Sequence, residues 1–258
     1  MAGVEEFTVG AELYSMTVGL EDQWAQQPFG FPREWTLLIQ EIKAKLGNHI
    51  RIMYDINYTD QTANDDGTGA SGGEIERWRY RLVDLKPKEG APETAHTQAW
   101  KQLRDLWKEI DVVGVDIYRS LISAQDKAPE DYNALVSKLQ VRAEEFASDL
   151  DSKLLEIETA TGIKKKIILK ETGFKSCTGC FLDPFKYDDP KDTVNISHQA
   201  AAYQAIFSAF VAPEWPWLHG IAFWDISVDP ARSGIQDPGF SPRGKAQTEE
   251  VIRAGWGR

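Results

Sequence analysis

The sequence predicts an α/β fold in which a parallel sheet is wound by helical crossovers. Three observations predict it. Short apolar runs alternate with long amphipathic stretches along the whole chain. At 258 residues and 42% hydrophobic content, the chain has apolar material for a sizeable core. No repeat, linker or low-complexity segment interrupts the alternation, so a single domain over residues 1–258 is expected, a length that also suits one α/β barrel.

The elements follow in order. A first strand is expected over residues 7–13. A helix over Pro32–Leu46 places Trp35, Leu38, Ile39, Ile42 and Leu46 at helical spacing, with Gly47 and Asn48 as its stop. In residues 49–57, Ile50, Ile52, Tyr54 and Ile56 alternate with Arg51, Met53 and Asp55, the period of a strand. Residues 59–92 are the least regular, and 62–73 read as a flexible loop by composition. That loop touches a calcium-loop pattern, but Gly73 stands where the last acidic ligand is needed, so calcium is not expected. A helix over 97–110, a strand over 111–118, a long helix over 129–161 and a strand over 166–171 come next. An Ala-rich helix over 195–211 stops before Pro213, a fifth strand covers 218–226, and a last helix follows Ser241 and Pro242.

Composition excludes several function classes. A formal net charge of -11 argues against nucleic acid and anionic membrane as partners, since both need a basic face. No apolar run approaches the ~20 residues that span a bilayer. The N-terminal residues have neither a basic region nor an apolar stretch, which reads as cytoplasmic. Cys177 and Cys180 form no disulfide framework and, followed by Phe-Leu-Asp-Pro, do not open a redox helix; they read as inert loop thiols. The four His are scattered without ligand spacing, so neither metal nor cofactor is expected. Nine Trp in one modest chain suit a neutral ligand with apolar faces, such as a sugar, although most are expected in the core.

Polar and aromatic residues gather at the C-terminal ends of the expected strands, the edge at which parallel α/β folds bind ligands. Glu12 ends the first strand, Tyr54 and Asn57 the second, Asp116 and Tyr118 the third, Glu171 the fourth, and Trp224 and Asp225 the fifth. A lone strand-end Glu is usually a cap or a solvated charge. Two of them, each close to a Gly, with aromatic and amide residues at the other strand ends, fit glycoside hydrolysis, in which one carboxyl protonates the leaving oxygen and the other attacks the anomeric carbon or activates water. Tyr118 and Asn57 are candidates to orient the ionised carboxylate.

Five segments occur in order: Phe7-Thr-Val-Gly-Ala-Glu-Leu13, Val112-Val-Gly-Val-Asp-Ile-Tyr118, Lys170-Glu-Thr-Gly-Phe-Lys-Ser176, Gly220-Ile-Ala-Phe-Trp-Asp225 and Phe240-Ser-Pro-Arg-Gly-Lys245. Together they resemble the C-terminal part, strands four to eight, of glycoside hydrolase family 113 and related retaining (β/α)8-barrel glycosidases, which include β-1,4-mannanases. The resemblance implies that Glu12 is the acid/base and Glu171 the nucleophile. It also implies that Trp224 floors the sugar subsite next to the cleaved bond and that Tyr118 is the aromatic of the matching Asp-x-Tyr segment, and with these two, Tyr54, Asn57, Asp116 and Asp225 are expected from their strand-end positions to bind substrate. It further implies a TIM-barrel-like fold that is incomplete, with about five βα units, closed atypically or by self-association of two copies through open barrel edges. The expected activity is retaining hydrolysis of a neutral β-glycan, with mannan or manno-oligosaccharides first. A glucoside or galactoside specificity and a non-catalytic carbohydrate-binding remnant are the alternatives.

Overall fold

The computed structural model describes residues 3–19, 29–47, 49–63, 69–187 and 192–257. In chain order the elements are β1 (Glu6–Ala11), α1 (Tyr14–Thr17), α2 (Pro32–Leu46), β2 (Arg51–Tyr58), α3 (Gly73–Arg79, continued as a π turn over Tyr80–Asp84), α4 (Ala95–Glu109), β3 (Val112–Ile117), α5 (Tyr132–Thr161), β4 (Lys166–Thr172), α6 (Ile196–Ile206, continued as a π turn over Phe207–Val211), β5 (Leu218–Phe223) and α7 (Ala246–Gly255). Among the described residues the strands form one five-stranded parallel sheet in the order β1-β2-β3-β4-β5. Five strands fall short of the eight that close a (β/α)8 barrel, so the fold is an incomplete α/β barrel, as expected. No described helix is long and apolar enough to cross a membrane.

The chain divides into two compact units, residues 1–116 with 151–168 and residues 117–150 with 169–258. In the first, Ile52, Ile56, Val113 and Val115 fill the sheet core and Leu103 and Leu106 of α4 close over it, all almost fully buried. Four aromatic rings run through this core. Trp35, Tyr54, Trp78 and Trp107 lie 5.8, 6.3 and 5.1 Å apart, centroid to centroid, in sequence along the chain of contacts. Asp111 ties three elements together: its carboxylate accepts from the Ile52 backbone N–H at 2.8 Å and from Lys43 Nζ at 3.0 Å.

The second unit is built on small residues. Ala200, Ala201, Ala202 and Ala205 of α6 are buried and let α7 pack closely. Gln199 crosses the interior, donating to the carbonyls of Phe174 and Phe240 at 2.8 and 2.9 Å while its Oε1 accepts from Thr248 at 3.1 Å. Lys245, fully buried, donates to the Ser241 and Gly239 carbonyls and to Asp237 at 2.6, 3.1 and 3.1 Å. Buried charge is tolerated when every donor is used.

The structure departs from the sequence reading in four places. The first strand stops at Ala11 because Glu12 takes a positive φ of 53°, which no strand accommodates. The fifth strand stops at Phe223 rather than 226. On α2 Pro32, Trp35 and Ile39 are buried, while Leu38 and Leu46 are exposed, so the buried stripe is narrower than the apolar one. Residues 73–84, read as part of the irregular stretch, are helical. This helix escapes a periodicity reading because its buried face is charged. Glu76 is buried against Lys153 at 3.0 Å and Arg79 at 2.8 Å, and Arg79 also reaches Asp84 and Glu156 at 2.6 and 3.1 Å.

Cys177 and Cys180 are free and buried. Burial pushes the Cys180 thiol well above the ordinary range, which disfavours the reactive thiolate.

Candidate active site

The sequence-predicted residues fall into two groups, one in each unit. In the first unit, β1 pairs with β2 in parallel, Glu6 opposite Arg51 through Thr8 opposite Met53. Three residues further along β1, Ala11 stands opposite Asp55, only two further along β2. The extra residue is a bulge, and bulges bend a strand and re-aim the side chain that follows. Gly10 sits in it with no room to spare, since a Cβ there would lie 3.0 Å from the Trp35 ring. Glu12 comes directly after, held by its own N–H on the Asp55 carbonyl at 2.9 Å. A non-Gly residue at positive φ costs on the order of 1–3 kcal/mol and persists where the surroundings over-determine it, most often at functional sites.

The next backbone group is held as well. Leu13 N–H donates to the Tyr54 hydroxyl at 2.9 Å, and that hydroxyl donates to Glu74 Oε1 at 3.0 Å. Tyr54 is almost fully buried, so it faces the protein rather than a solvent-filled groove. Burial, then the Glu74 carboxyl, raises its phenol above the ordinary range. Asn57 Oδ1 accepts from the Glu74 backbone N–H at 2.8 Å. This contact explains Gly73, whose φ is +58° and where a Cβ would fall 2.2 Å from Asn57 Oδ1. Asp116 is buried near the end of β3.

In the second unit, Tyr118 follows β3 directly and its hydroxyl donates to Glu171 Oε2 at 3.2 Å. Glu171 lies next to the end of β4. Trp224 follows β5, is 46% exposed, and anchors through its N–H on the Thr172 carbonyl at 2.8 Å. Asp225, partly buried, follows through a cis peptide bond. Gly173 allows this arrangement: a Cβ there would lie 1.9 Å from the Trp224 carbonyl oxygen. Gly173→Ala is therefore expected to displace Trp224 and cost about 3 kcal/mol, read as a lower urea midpoint at unchanged m-value.

Sequence reasoning missed Glu74. It follows Gly72 and Gly73 in a stretch read as flexible, and an acidic residue there resembles an ordinary first-turn charge. Its relative exposure is 1%. Burial pushes its carboxyl up to about 8, against the opposing hydrogen bonds from Tyr54 and Trp78.

The family model described as Glycoside Hydrolase Family 113 matches residues 76–245, more than half of the chain. The matched region contains Tyr118, Glu171, Trp224 and Asp225, whereas Glu12, Tyr54, Asn57 and Glu74 precede it. Among solved structures, the chain is similar to a GH113 β-1,4-mannanase in complex form, at 16% identity over 98% of this chain and 88% of the other, with a TM-score of 0.40. It is similar to the GH113 β-mannanase AaManA of Alicyclobacillus acidocaldarius in complex with ManMIm, at 18% identity over 100% and 98%, with a TM-score of 0.41. A structure of fungal β-1,4-galactanases shares 13% identity over 92% of this chain and 57% of the other, with a TM-score of 0.38. Among curated proteins, none matches.

Proposed function

The chain belongs to glycoside hydrolase family 113, and from that membership we propose that it hydrolyses a neutral β-glycan with retention of configuration, β-1,4-mannan or manno-oligosaccharides first, using Glu171 as nucleophile and Glu12 as acid/base. The observation that carries this reading is the hydrogen bond from Tyr118 to Glu171 Oε2 at 3.2 Å. A donor on one carboxylate oxygen orients the group and leaves the other oxygen for attack.

In the proposed first step, Glu171 attacks the anomeric carbon as the glycosidic C–O bond breaks, and Glu12 gives its proton to the departing oxygen. In the second, Glu12 takes a proton from water, whose oxygen replaces Glu171 at the same carbon. Trp224, with about half its surface open, is suited to stack on the apolar face of a sugar ring. Trp224→Ala is expected to weaken oligosaccharide binding by about 0.5–1.5 kcal/mol beyond the lost area, measured by calorimetric titration on the Glu171→Gln background.

The test is hydrolysis of aryl β-mannoside, glucoside, galactoside, xyloside and cellobioside, together with mannan polymer, with Glu171→Gln as blank. Turnover above the blank on mannose-containing substrates supports the proposal; preferential turnover on another sugar replaces the specificity and keeps the mechanism. The strand count favours a second reading, a carbohydrate-binding remnant, because five described strands offer less support than eight for holding two carboxyls in register. Binding of manno-oligosaccharide without turnover of any substrate would select it. The same count supports pairing of two copies along β1, which ends the sheet order and exposes 41% of Phe7. A monomer mass in light scattering would reject that pairing.

A further inference from the structure

We propose that Glu74 is a positioning residue for Glu12: a buried carboxyl that, through the Tyr54 hydroxyl, holds the backbone turn that presents the acid/base. The inference rests on the reading of Glu12 given above and names a residue outside the matched family region.

The geometry is a chain of directed hydrogen bonds within the first unit. Trp78 Nε1 donates to Glu74 Oε1 at 3.3 Å, and the Tyr54 hydroxyl donates to the same oxygen at 3.0 Å. A phenol has one proton. Because Glu74 takes it, the Tyr54 oxygen keeps its lone pairs for the Leu13 N–H at 2.9 Å, and the Thr17 hydroxyl lies 3.3 Å from it. Leu13 N–H is the first group beyond Glu12, whose own N–H is on the Asp55 carbonyl. Both peptide groups flanking the strained residue are thereby fixed, one by β2 backbone and one by Tyr54.

The other oxygen of Glu74, Oε2, is buried with no hydrogen-bond partner among the described residues. A carboxylate would leave buried charge on that bare oxygen, at a cost of several kcal/mol. A protonated carboxyl puts its hydroxyl at Oε2 and keeps Oε1 as the acceptor that Tyr54 and Trp78 use. The charged or titratable groups facing Glu74 are Tyr54 from β2, Glu12 beyond β1 and Arg77 from its own helix, whose guanidinium lies 4.3 Å over the Tyr14 ring. The upward shift from burial agrees with a neutral acid at physiological pH. Glu12 then has a neutral neighbour, and a second negative charge beside it appears only as Glu74 ionises.

The experiment compares Glu74→Ala, Glu74→Gln and Tyr54→Phe, each on a natural manno-oligosaccharide and on a dinitrophenyl glycoside that needs little protonation to leave. Glu74→Ala and Tyr54→Phe should lower kcat/KM, which reports glycosylation and not the base-assisted release, on the oligosaccharide on the order of tenfold or more, with a much smaller loss of kcat/KM on the activated substrate. Glu74→Gln retains the carbonyl acceptor and should recover most of that loss. A second readout needs no activity. Folded Glu74 keeps its proton to about pH 8, whereas an unfolded Glu releases it near ~4.3. Its contribution to stability is therefore full below ~4.3 and is lost as pH rises through about 8. Glu74→Gln should flatten that part of the Tm–pH curve.

Equal losses on both substrates, a Gln variant as impaired as the Ala variant, or an unchanged Tm–pH slope in Glu74→Gln would overturn the inference. Should Glu74→Ala fail to fold, the Tyr54→Phe selectivity decides, since the phenyl ring still packs between Trp35 and Trp78. Glu12→Ala, run alongside, separates the two readings. Selectivity in Glu12→Ala without selectivity in the Glu74 and Tyr54 variants removes only the positioning role, whereas its absence in Glu12→Ala removes the acid/base assignment and this inference with it.

Discussion

Glu171→Gln is expected to lower turnover by more than about a thousandfold while leaving the fold intact. An amide oxygen is a far weaker nucleophile than a carboxylate, so the covalent step is lost. The amide keeps the shape of the side chain, and its oxygen can still accept from Tyr118, which sits 3.2 Å from Oε2 in the parent protein. Steady-state hydrolysis of an aryl β-mannoside with matching thermal melts checks both halves of the expectation. Glu171→Ala adds a sharper criterion. It opens space beside the anomeric carbon, and azide should restore turnover by attacking there, yielding a glycosyl azide of inverted configuration. Undiminished turnover in Glu171→Gln would remove Glu171 as nucleophile.

Glu12→Ala carries the second large effect, and its size should depend on the substrate. Positioned acid catalysis is worth about 10²–10⁴-fold, and that loss should fall on substrates whose leaving oxygen must be protonated. A dinitrophenyl glycoside departs as a stable anion and should retain near-parent glycosylation. Its deglycosylation still needs base assistance, so the expected signature is a rapid burst followed by slow release. Loss of equal size in kcat/KM on both substrates would argue against the acid role. The structure offers a physical basis for sensitivity at this position: Glu12 sits at φ 53° after a bulge, and a small displacement of a reacting group is enough to cost about 100-fold.

Much of the fold is legible in the sequence alone. All five strands and the helices Pro32–Leu46 and Tyr132–Thr161 carry periodicities that local physics imposes, and the observed elements lie close to the expected ones. Glu12 and Glu171 stood out because strand ends beside Gly are where parallel folds place chemistry. Tyr118 was readable as a partner for Glu171 because it closes the neighbouring strand. Other features are set by tertiary contact and leave little local trace. Glu74 matters through Tyr54 and Trp78, and only the packing of α3 on β2 brings Tyr54 to it. Leu38 belongs to an apolar stripe, yet it is exposed because α2 turns Pro32, Trp35 and Ile39 inward. Asn57 is readable as a strand-end residue, but the Glu74 backbone N–H that its Oδ1 accepts is a partner no spacing rule supplies.

The discontinuity of the first unit bears on how the protein is made. Residues 1–116 complete that unit only together with 151–168. The later piece supplies Lys153 and Glu156, which neutralise Glu76 and Arg79, and the Ala160 and Thr161 carbonyls, which receive Lys86 and Arg104. On a translating ribosome Lys153 emerges about seventy residues after Asp84, so for seconds, at ~5–20 residues per second, the charged helix has only its internal pairs of Arg79 with Glu76 and Asp84. Nascent chains stalled before residue 151 should therefore be cut readily by protease within α3, and chains stalled well past residue 168 should resist.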